Sequence, residues 1–99
     1  ILAMGGKGVI SVFANVLPKE MHALAAATLE GRLADARAMT SRYVDLMNAL
    51  FMDVNPIPVK AALNMMGLNC GRCRLPLTDM SAPMLEKLRA ALGEHVKLA

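Results

Sequence analysis

The sequence predicts a mostly α-helical chain that carries one β-strand of the kind found in parallel α/β folds. Residues 9–13, Val-Ile-Ser-Val-Phe, are rich in β-branched side chains and almost continuously apolar, as is typical of a strand buried on both faces. The rest of the chain repeats its apolar residues at helical spacing. Because one strand has no partner for its own backbone N–H and C=O groups, we expect its neighbours to come from chain outside this sequence or from another subunit.

The composition supports the same expectation. Of the 99 residues, 56% are apolar and only 19% are charged, and the mean hydropathy is +0.42. A domain of this length has limited interior in which to bury apolar side chains. We therefore expect part of the apolar surface to pack against further chain, as in a fragment of a larger protein, and a sequence that starts with Ile1 rather than Met fits that expectation.

The first half of the sequence is expected to contain an entry turn, the strand and two helices. Gly5-Gly6-Lys7-Gly8 reads as the turn before the strand. Pro18 suits the first position of a helix, and Gly31 suits its end because glycine adopts positive φ readily. A longer helix is predicted from about Leu33 to Met52. Its apolar stripe consists of Ala36, Met39, Tyr43, Leu46, Met47, Leu50 and Phe51.

The second half is expected to add two more helices. Asn55-Pro56-Ile57-Pro58 interrupts the long helix, because proline is excluded from helix interiors. A short helix follows and ends at Gly67, and residues 69–79 are predicted to be irregular. Ser81 with Pro83 begins the final helix, whose apolar face is Met84, Leu85, Leu88 and Leu92.

Charge and hydropathy argue against nucleic-acid and membrane partners. The net charge is +3 and the pI about 9.2, but no two Lys or Arg residues are adjacent and only 3% of residues are aromatic. Nucleic-acid binding normally uses a basic stripe, often with stacking aromatics. No apolar run reaches the roughly 18–20 residues that a membrane span needs. We expect neither nucleic acid nor a membrane among the partners.

Several motifs suggest chemistry at first sight. The glycines at 5–8 precede the strand, whereas a phosphate-binding loop follows one. Cys70-Gly71-Arg72-Cys73 has the spacing of half a zinc site, but His22 and His95 lie alone in separate helices. We interpret the cysteines as free thiols. Lys60 lies in the first turn of an amphipathic helix and is expected to be solvated rather than an imine-forming lysine.

Four segments together resemble the dihydrodipicolinate synthase family. Gly5 to Val12, followed by Ala14-Asn15-Val16, resembles the eighth barrel strand of that family, and Leu29-Glu30-Gly31 fits its following helix end. Asn55-Pro56-Ile57-Pro58-Val59-Lys60 resembles the family signature at the start of a C-terminal helix. Arg74-Leu75-Pro76-Leu77 resembles the crossing segment that comes next. The resemblance covers essentially the whole chain, with the motifs in order.

The resemblance implies an α/β fold, namely the C-terminal piece of a (β/α)8 TIM barrel. Residues 1–31 would supply strand 8 and helix 8, and residues 32–99 a three-helix C-terminal extension, with the N-terminal barrel missing. Family members are cytoplasmic enzymes, usually tetramers. They condense pyruvate with aspartate semialdehyde through a lysine Schiff base in lysine and diaminopimelate biosynthesis. The resemblance implies no cofactor and no metal.

Only one site residue transfers by resemblance. Ile10 matches the isoleucine whose backbone carbonyl faces pyruvate in the family. The imine lysine and the other catalytic groups belong to earlier strands, so no catalytic residue is expected here and the isolated chain is expected to be inactive. Phe13 stands where the family usually has a smaller residue, which we interpret as variation in the pocket lining.

Two alternatives remain open on the sequence. The parent enzyme could be another pyruvate-dependent aldolase of the same superfamily, such as an N-acetylneuraminate lyase, although NPIPVK favours the synthase. From a different class, the chain could be a small helical thiol or metal interaction module built around Cys70 and Cys73.

Overall fold

The structure, a computed structural model, describes residues 1–99 and contains five α-helices and no β-strand. A short 3₁₀ turn at Leu2–Met4 precedes them. The helices are α1 (Phe13–Val16), α2 (Pro18–Leu29), α3 (Leu33–Ala49), α4 (Ile57–Met65) and α5 (Ala82–Gly93). The prediction of a mostly helical chain is therefore confirmed.

The strand predicted at residues 9–13 is wrong for this chain. Val12 has helical backbone angles, φ −63° and ψ −41°, and Phe13 already begins α1. Val9 and Ile10 are exposed rather than doubly buried. The physical reason is that a strand needs a neighbouring backbone, whereas α1 is stabilised locally: the Ser11 hydroxyl accepts a hydrogen bond from the Ala14 N–H at 3.2 Å.

The chain divides into two compact units, residues 1–44 and residues 45–99. This division falls inside α3. The boundary predicted between residues 31 and 32 separates a barrel from its extension, and it stays a prediction.

The first unit is built around α1 and α2. Pro18 occupies the first turn of α2, as predicted. After Leu29 the chain reverses at Gly31, where φ is +78° and the Arg32 N–H donates to the Ala27 carbonyl at 2.8 Å, the bond that closes a Schellman-type helix end. The Phe13 ring is 4% exposed and lies 5.5 Å, centroid to centroid, from the Tyr43 ring. Phe13 is thus a core residue in this chain, and its interpretation as pocket lining in the parent barrel stays a prediction.

Charged side chains mark the passage from α2 to α3. Arg32 donates to the Glu30 carboxylate at 2.7 Å and to the Asp35 carboxylate at 3.0 Å. These hydrogen bonds, first that of Glu30 and then that of Asp35, raise the pKa of the Arg32 guanidinium. All three groups are well exposed to solvent, so they add little to stability.

The end of α3 comes three residues earlier than predicted, at Ala49 rather than Met52. Phe51 and Met52 donate to the carbonyls three residues before them, Asn48 and Ala49, so the last turn tightens into 3₁₀ geometry. Four members of the predicted apolar stripe are buried: Ala36, Tyr43, Leu46 and Leu50. Phe51 is 59% exposed because it lies beyond the helix end.

The second unit pairs α4 with α5. Pro56 and Pro58 flank the start of α4, and Gly67, at φ +86°, follows its end, as predicted. Ser81 is the N-cap of α5, and Leu88 and Leu92 on its apolar face are fully buried. Residues 69–79 form no helix or strand, which confirms the predicted irregular segment. This unit therefore has an apolar core of its own.

Candidate functional site

Ile10 lies in an irregular stretch, residues 6–11, immediately before α1. Its side chain is fully exposed, with a relative exposure of 106%. No backbone N–H of the chain donates to its carbonyl oxygen. The carbonyl is therefore an available hydrogen-bond acceptor, and the structure brings no other predicted site residue to it.

A shallow apolar pocket lies in the same unit, with a volume of about 300 Å³. Val9 contributes to its lining together with residues of the 3₁₀ turn and of α2, whereas Ile10 does not. The pocket is lined by Ile1, Leu2, Ala3, Val9, Met21, Leu24, Thr28 and Thr40. It holds no titratable side chain, so it offers surface for packing rather than groups for catalysis.

A larger groove of about 490 Å³ lies in the second unit, between α4, α5 and the irregular segment 69–79. Its apolar lining comes from Ile57, Ala61, Met65, Met80 and Leu85. Its polar and charged lining comes from Lys60, Asn64, Arg72, Cys73, Thr78, Asp79, Glu86 and Arg89. The volume of the groove lies in the range of small-molecule binding sites, and its lining combines an apolar base with a larger number of polar and charged side chains.

Two side chains of α4 anchor the irregular segment. The Lys60 ammonium donates to the Arg72 carbonyl at 2.8 Å, and the Asn64 amide donates to the Gly71 carbonyl at 2.9 Å. Arg72 in turn lies 3.3 Å from the Asp79 carboxylate. Lys60 is partly exposed and holds a backbone carbonyl, which agrees with its interpretation as a lysine that does not form an imine.

The remaining candidates are the two cysteines and the two histidines. Cys70 and Cys73 are free and half-buried, as predicted. His22 is exposed on α2 and His95 lies just after α5. No three His, Cys, Asp or Glu side chains come together as metal ligands, so the zinc form of the alternative hypothesis has no ligand set in this structure.

The groove is the feature that the sequence did not reveal. Asn64, Arg72 and Arg89 belong to three separate segments, and no motif in the sequence links them. The only available signal was the helical spacing of Lys60 and Asn64, four residues apart on one face of α4. That spacing predicts neighbours but not what they bind.

Comparison with known proteins identifies the family. Residues 1–95 match the model of the dihydrodipicolinate synthetase family. The chain belongs to that family. The 4-hydroxy-tetrahydrodipicolinate synthase of Acetivibrio thermocellus is 50% identical over 95 residues, which cover 96% of this chain and 32% of that protein. The chain thus spans about a third of the length of the curated relatives it matches.

Solved structures of dihydrodipicolinate synthases also resemble the chain. The enzyme from Aquifex aeolicus is 46% identical and superposes with a TM-score of 0.92, over 95% of this chain and 32% of that one. The chloride-inhibited enzyme from Acinetobacter baumannii, solved in complex with pyruvate, is 40% identical with a TM-score of 0.89, over 94% of this chain and 32% of that one. The recognition of the family from its motifs is confirmed.

None of the helices is both long enough and apolar enough to cross a membrane.

Proposed function

We propose that this chain is the C-terminal part of a dihydrodipicolinate synthase that condenses pyruvate with aspartate semialdehyde. In this proposal residues 1–31 provide the last strand and helix of a (β/α)8 barrel, and residues 32–99 provide its helical extension. A lysine outside these residues forms the Schiff base with pyruvate. The complete enzyme is a cytoplasmic homotetramer that serves lysine and diaminopimelate biosynthesis.

The exposure of residues 8–11, with an unpaired backbone carbonyl at Ile10, is the observation that best supports the barrel assignment. Val9 and Ile10 are apolar and β-branched but 40% and 106% exposed. The Ile10 carbonyl also lacks a partner in the chain. Both features would be resolved if neighbouring strands covered the side chains and paired with the backbone. The family match and the similarity to a pyruvate-bound relative point to the same barrel.

The role proposed for Ile10 is to present its backbone carbonyl to pyruvate at the C-terminal end of the last strand. Barrel active sites lie at that end of the strands. The carbonyl is an acceptor only, so it can hold a donor or limit how the substrate lies, but it cannot transfer a proton.

The catalytic assignment can be tested by trapping pyruvate with borohydride. We expect the complete protein to yield one reduced pyruvyl-lysine outside residues 1–99, and the 99-residue chain to yield none. Trapping on Lys7 or Lys60 of the isolated chain would contradict the assignment.

The role of Ile10 needs a probe of its carbonyl, since no substitution removes a backbone oxygen. Labelling isoleucine carbonyls with ¹³C and serine nitrogen with ¹⁵N selects the Ile10–Ser11 peptide within this chain, where Ile-Ser occurs once. We expect pyruvate to shift this signal in the complete protein. Labelling proline nitrogen as well makes the Ile57–Pro58 peptide, which is also unique in this chain, the matched control, and its signal should not move. A shift at Ile57 alone would contradict the proposal.

The second substrate distinguishes the synthase from the other aldolases of the superfamily. We expect the complete protein to consume pyruvate with aspartate semialdehyde and not to cleave N-acetylneuraminate. Sedimentation of the same preparation tests the proposed tetramer, and a monomer at the assay concentration would contradict it.

A further inference from the structure

We propose that Cys73 is a modification site, at which small carboxylate-bearing disulfides form a mixed disulfide inside the α4–α5 groove. The proposal goes beyond the synthase function, because it concerns a surface of the second unit and a reaction of the thiol itself.

Cys73 and Cys70 differ in their surroundings although both are half-buried and free. Cys73 lines the groove, whereas Cys70 does not. The Cys70 sulfur lies 4.0 Å from the Leu68 carbonyl oxygen. The two thiols therefore form a matched pair in one segment, with one facing the groove and the other outside it.

Positive charge is concentrated at Cys73. Arg72 and Arg74 are its sequence neighbours, while Cys70 stands between Asn69 and Gly71. The Lys60 ammonium donates at 2.8 Å to the Arg72 carbonyl, the group bonded directly to the Cys73 nitrogen. Lys60 thus holds one more cation beside the Arg72–Cys73 peptide bond.

The charges along the groove do not cancel. Its charged side chains are Lys60, Arg72, Asp79, Glu86 and Arg89. Arg72 pairs with Asp79 at 3.3 Å, whereas Arg89 and Glu86 form no ion pair. Two cations, Lys60 and Arg89 on two different helices, then remain against a single unpaired carboxylate, that of Glu86. A cleft lined in this way raises the local concentration of small anions.

The reaction is an ordinary thiol–disulfide exchange. The Cys73 thiol loses its proton to water, and its sulfur attacks one sulfur of the small disulfide. The reagent's S–S bond breaks, a bond from Cys73 to the attacked sulfur forms, and the other half leaves as a thiolate with the electron pair. Cys73 is oxidised and the small disulfide is the oxidant. The proposed product is this mixed disulfide and not a Cys70–Cys73 disulfide, which would form if Cys70 then displaced the second half of the reagent.

The test compares the two thiols in the complete protein with an anionic and a neutral reagent. Cys70→Ser leaves Cys73, Cys73→Ser leaves Cys70, and the double variant subtracts any thiol elsewhere. With the dianionic dithiobis(nitrobenzoate) we expect Cys73 to react about ten times faster than Cys70, within the range of electrostatic steering. Neutral dithiodipyridine should reduce this preference to near unity, as should salt at about 1 M, where the Debye length is about 3 Å.

Substitutions on the groove wall complete the test. Arg89→Gln removes a cation that makes no hydrogen bond in the structure, and it should lower the anionic preference severalfold. Arg37→Gln, at an exposed position of α3, is the matched control and should leave the anionic preference unchanged. An equal preference with the neutral reagent would show that accessibility alone decides, and faster reaction of Cys70 would also overturn the proposal. The proposal would also be overturned if the unsubstituted protein released two equivalents of the reagent's thiolate and its Cys70 and Cys73 became linked by a disulfide.

Discussion

The beginning of the first unit and the α4–α5 pair of the second unit are both rich in apolar residues, but they differ in how far these residues are buried. Residues 8–11 leave Val9 and Ile10 exposed, whereas α4 and α5 bury Val59, Leu88 and Leu92. A helix satisfies its backbone groups within itself and needs only one covered face, while a strand also needs a neighbouring backbone. The second unit is thus complete in a way that the first residues are not.

The largest effect should come from the aromatic contact of the first unit. Phe13→Ala removes a ring that is 4% exposed and packs on Tyr43, and truncation of a buried Phe costs about 3–5 kcal/mol of unfolding free energy. Phe51→Ala is the matched control, since Phe51 is 59% exposed. Urea unfolding of the 99-residue chain measures both. Equal losses would show that Phe13 is not a core residue.

A slightly smaller loss is expected in the core of the second unit. Leu92 is fully buried, and Leu92→Ala should cost about 2–5 kcal/mol, since a cavity is left behind. Leu75→Ala, at a residue 86% exposed, should change the urea midpoint little. If Leu75 proved the costlier position, the assignment of an independent core to this unit would be wrong.

The reversal after α2 provides a backbone test. Gly31 has φ +78°, and an added Cβ would meet no atom within 4 Å, so Gly31→Ala isolates the cost of positive φ. We expect a loss of about 1–2 kcal/mol. Gly8→Ala is the control, because its Cβ is equally free and its φ is not positive. Thermal unfolding compares the two, and a neutral Gly31→Ala would contradict the strained turn.

The anchoring of the irregular segment should contribute less. Asn64→Ala removes the 2.9 Å hydrogen bond to the Gly71 carbonyl, a contribution of about 0.5–1.5 kcal/mol. Asn48 is the natural control because each asparagine is the second-to-last residue of its helix. The ¹³C shift of the Gly71 carbonyl, which accepts this hydrogen bond, should change only in Asn64→Ala. An unchanged shift there would mean that the amide does not hold the segment.

The smallest effect is expected at the exposed strand-like residues. Ile10→Ala in the 99-residue chain should alter the unfolding free energy by less than about 0.5 kcal/mol, as for other surface positions. If Ile10→Ala lowered the unfolding free energy of the isolated chain as much as truncation of a buried residue does, residues 8–11 would pack there after all. The contrast between the two regions would then disappear.

The sequence by itself determined helices α2 to α5 and most of their ends. Pro18, Gly31, Pro58 and Gly67 act through their own backbone restrictions, which do not depend on distant residues. The apolar stripes then predicted the buried faces that hold Leu46, Leu88 and Leu92. Local sequence also carried the family motifs that the family match confirms.

Tertiary structure alone decided the fate of residues 9–13 and the existence of the groove. The β-branched run predicted a strand, but without a neighbouring backbone Val12 and Phe13 follow the local hydrogen bonds of Ser11 into a helix. The groove joins Lys60, Arg72 and Arg89 from segments far apart in sequence. Strand pairing and side-chain convergence both depend on contacts between distant residues, whereas helix formation depends on near neighbours. That is why the sequence predicted the helices, while the unpaired strand segment and the cation-lined groove emerged only in three dimensions.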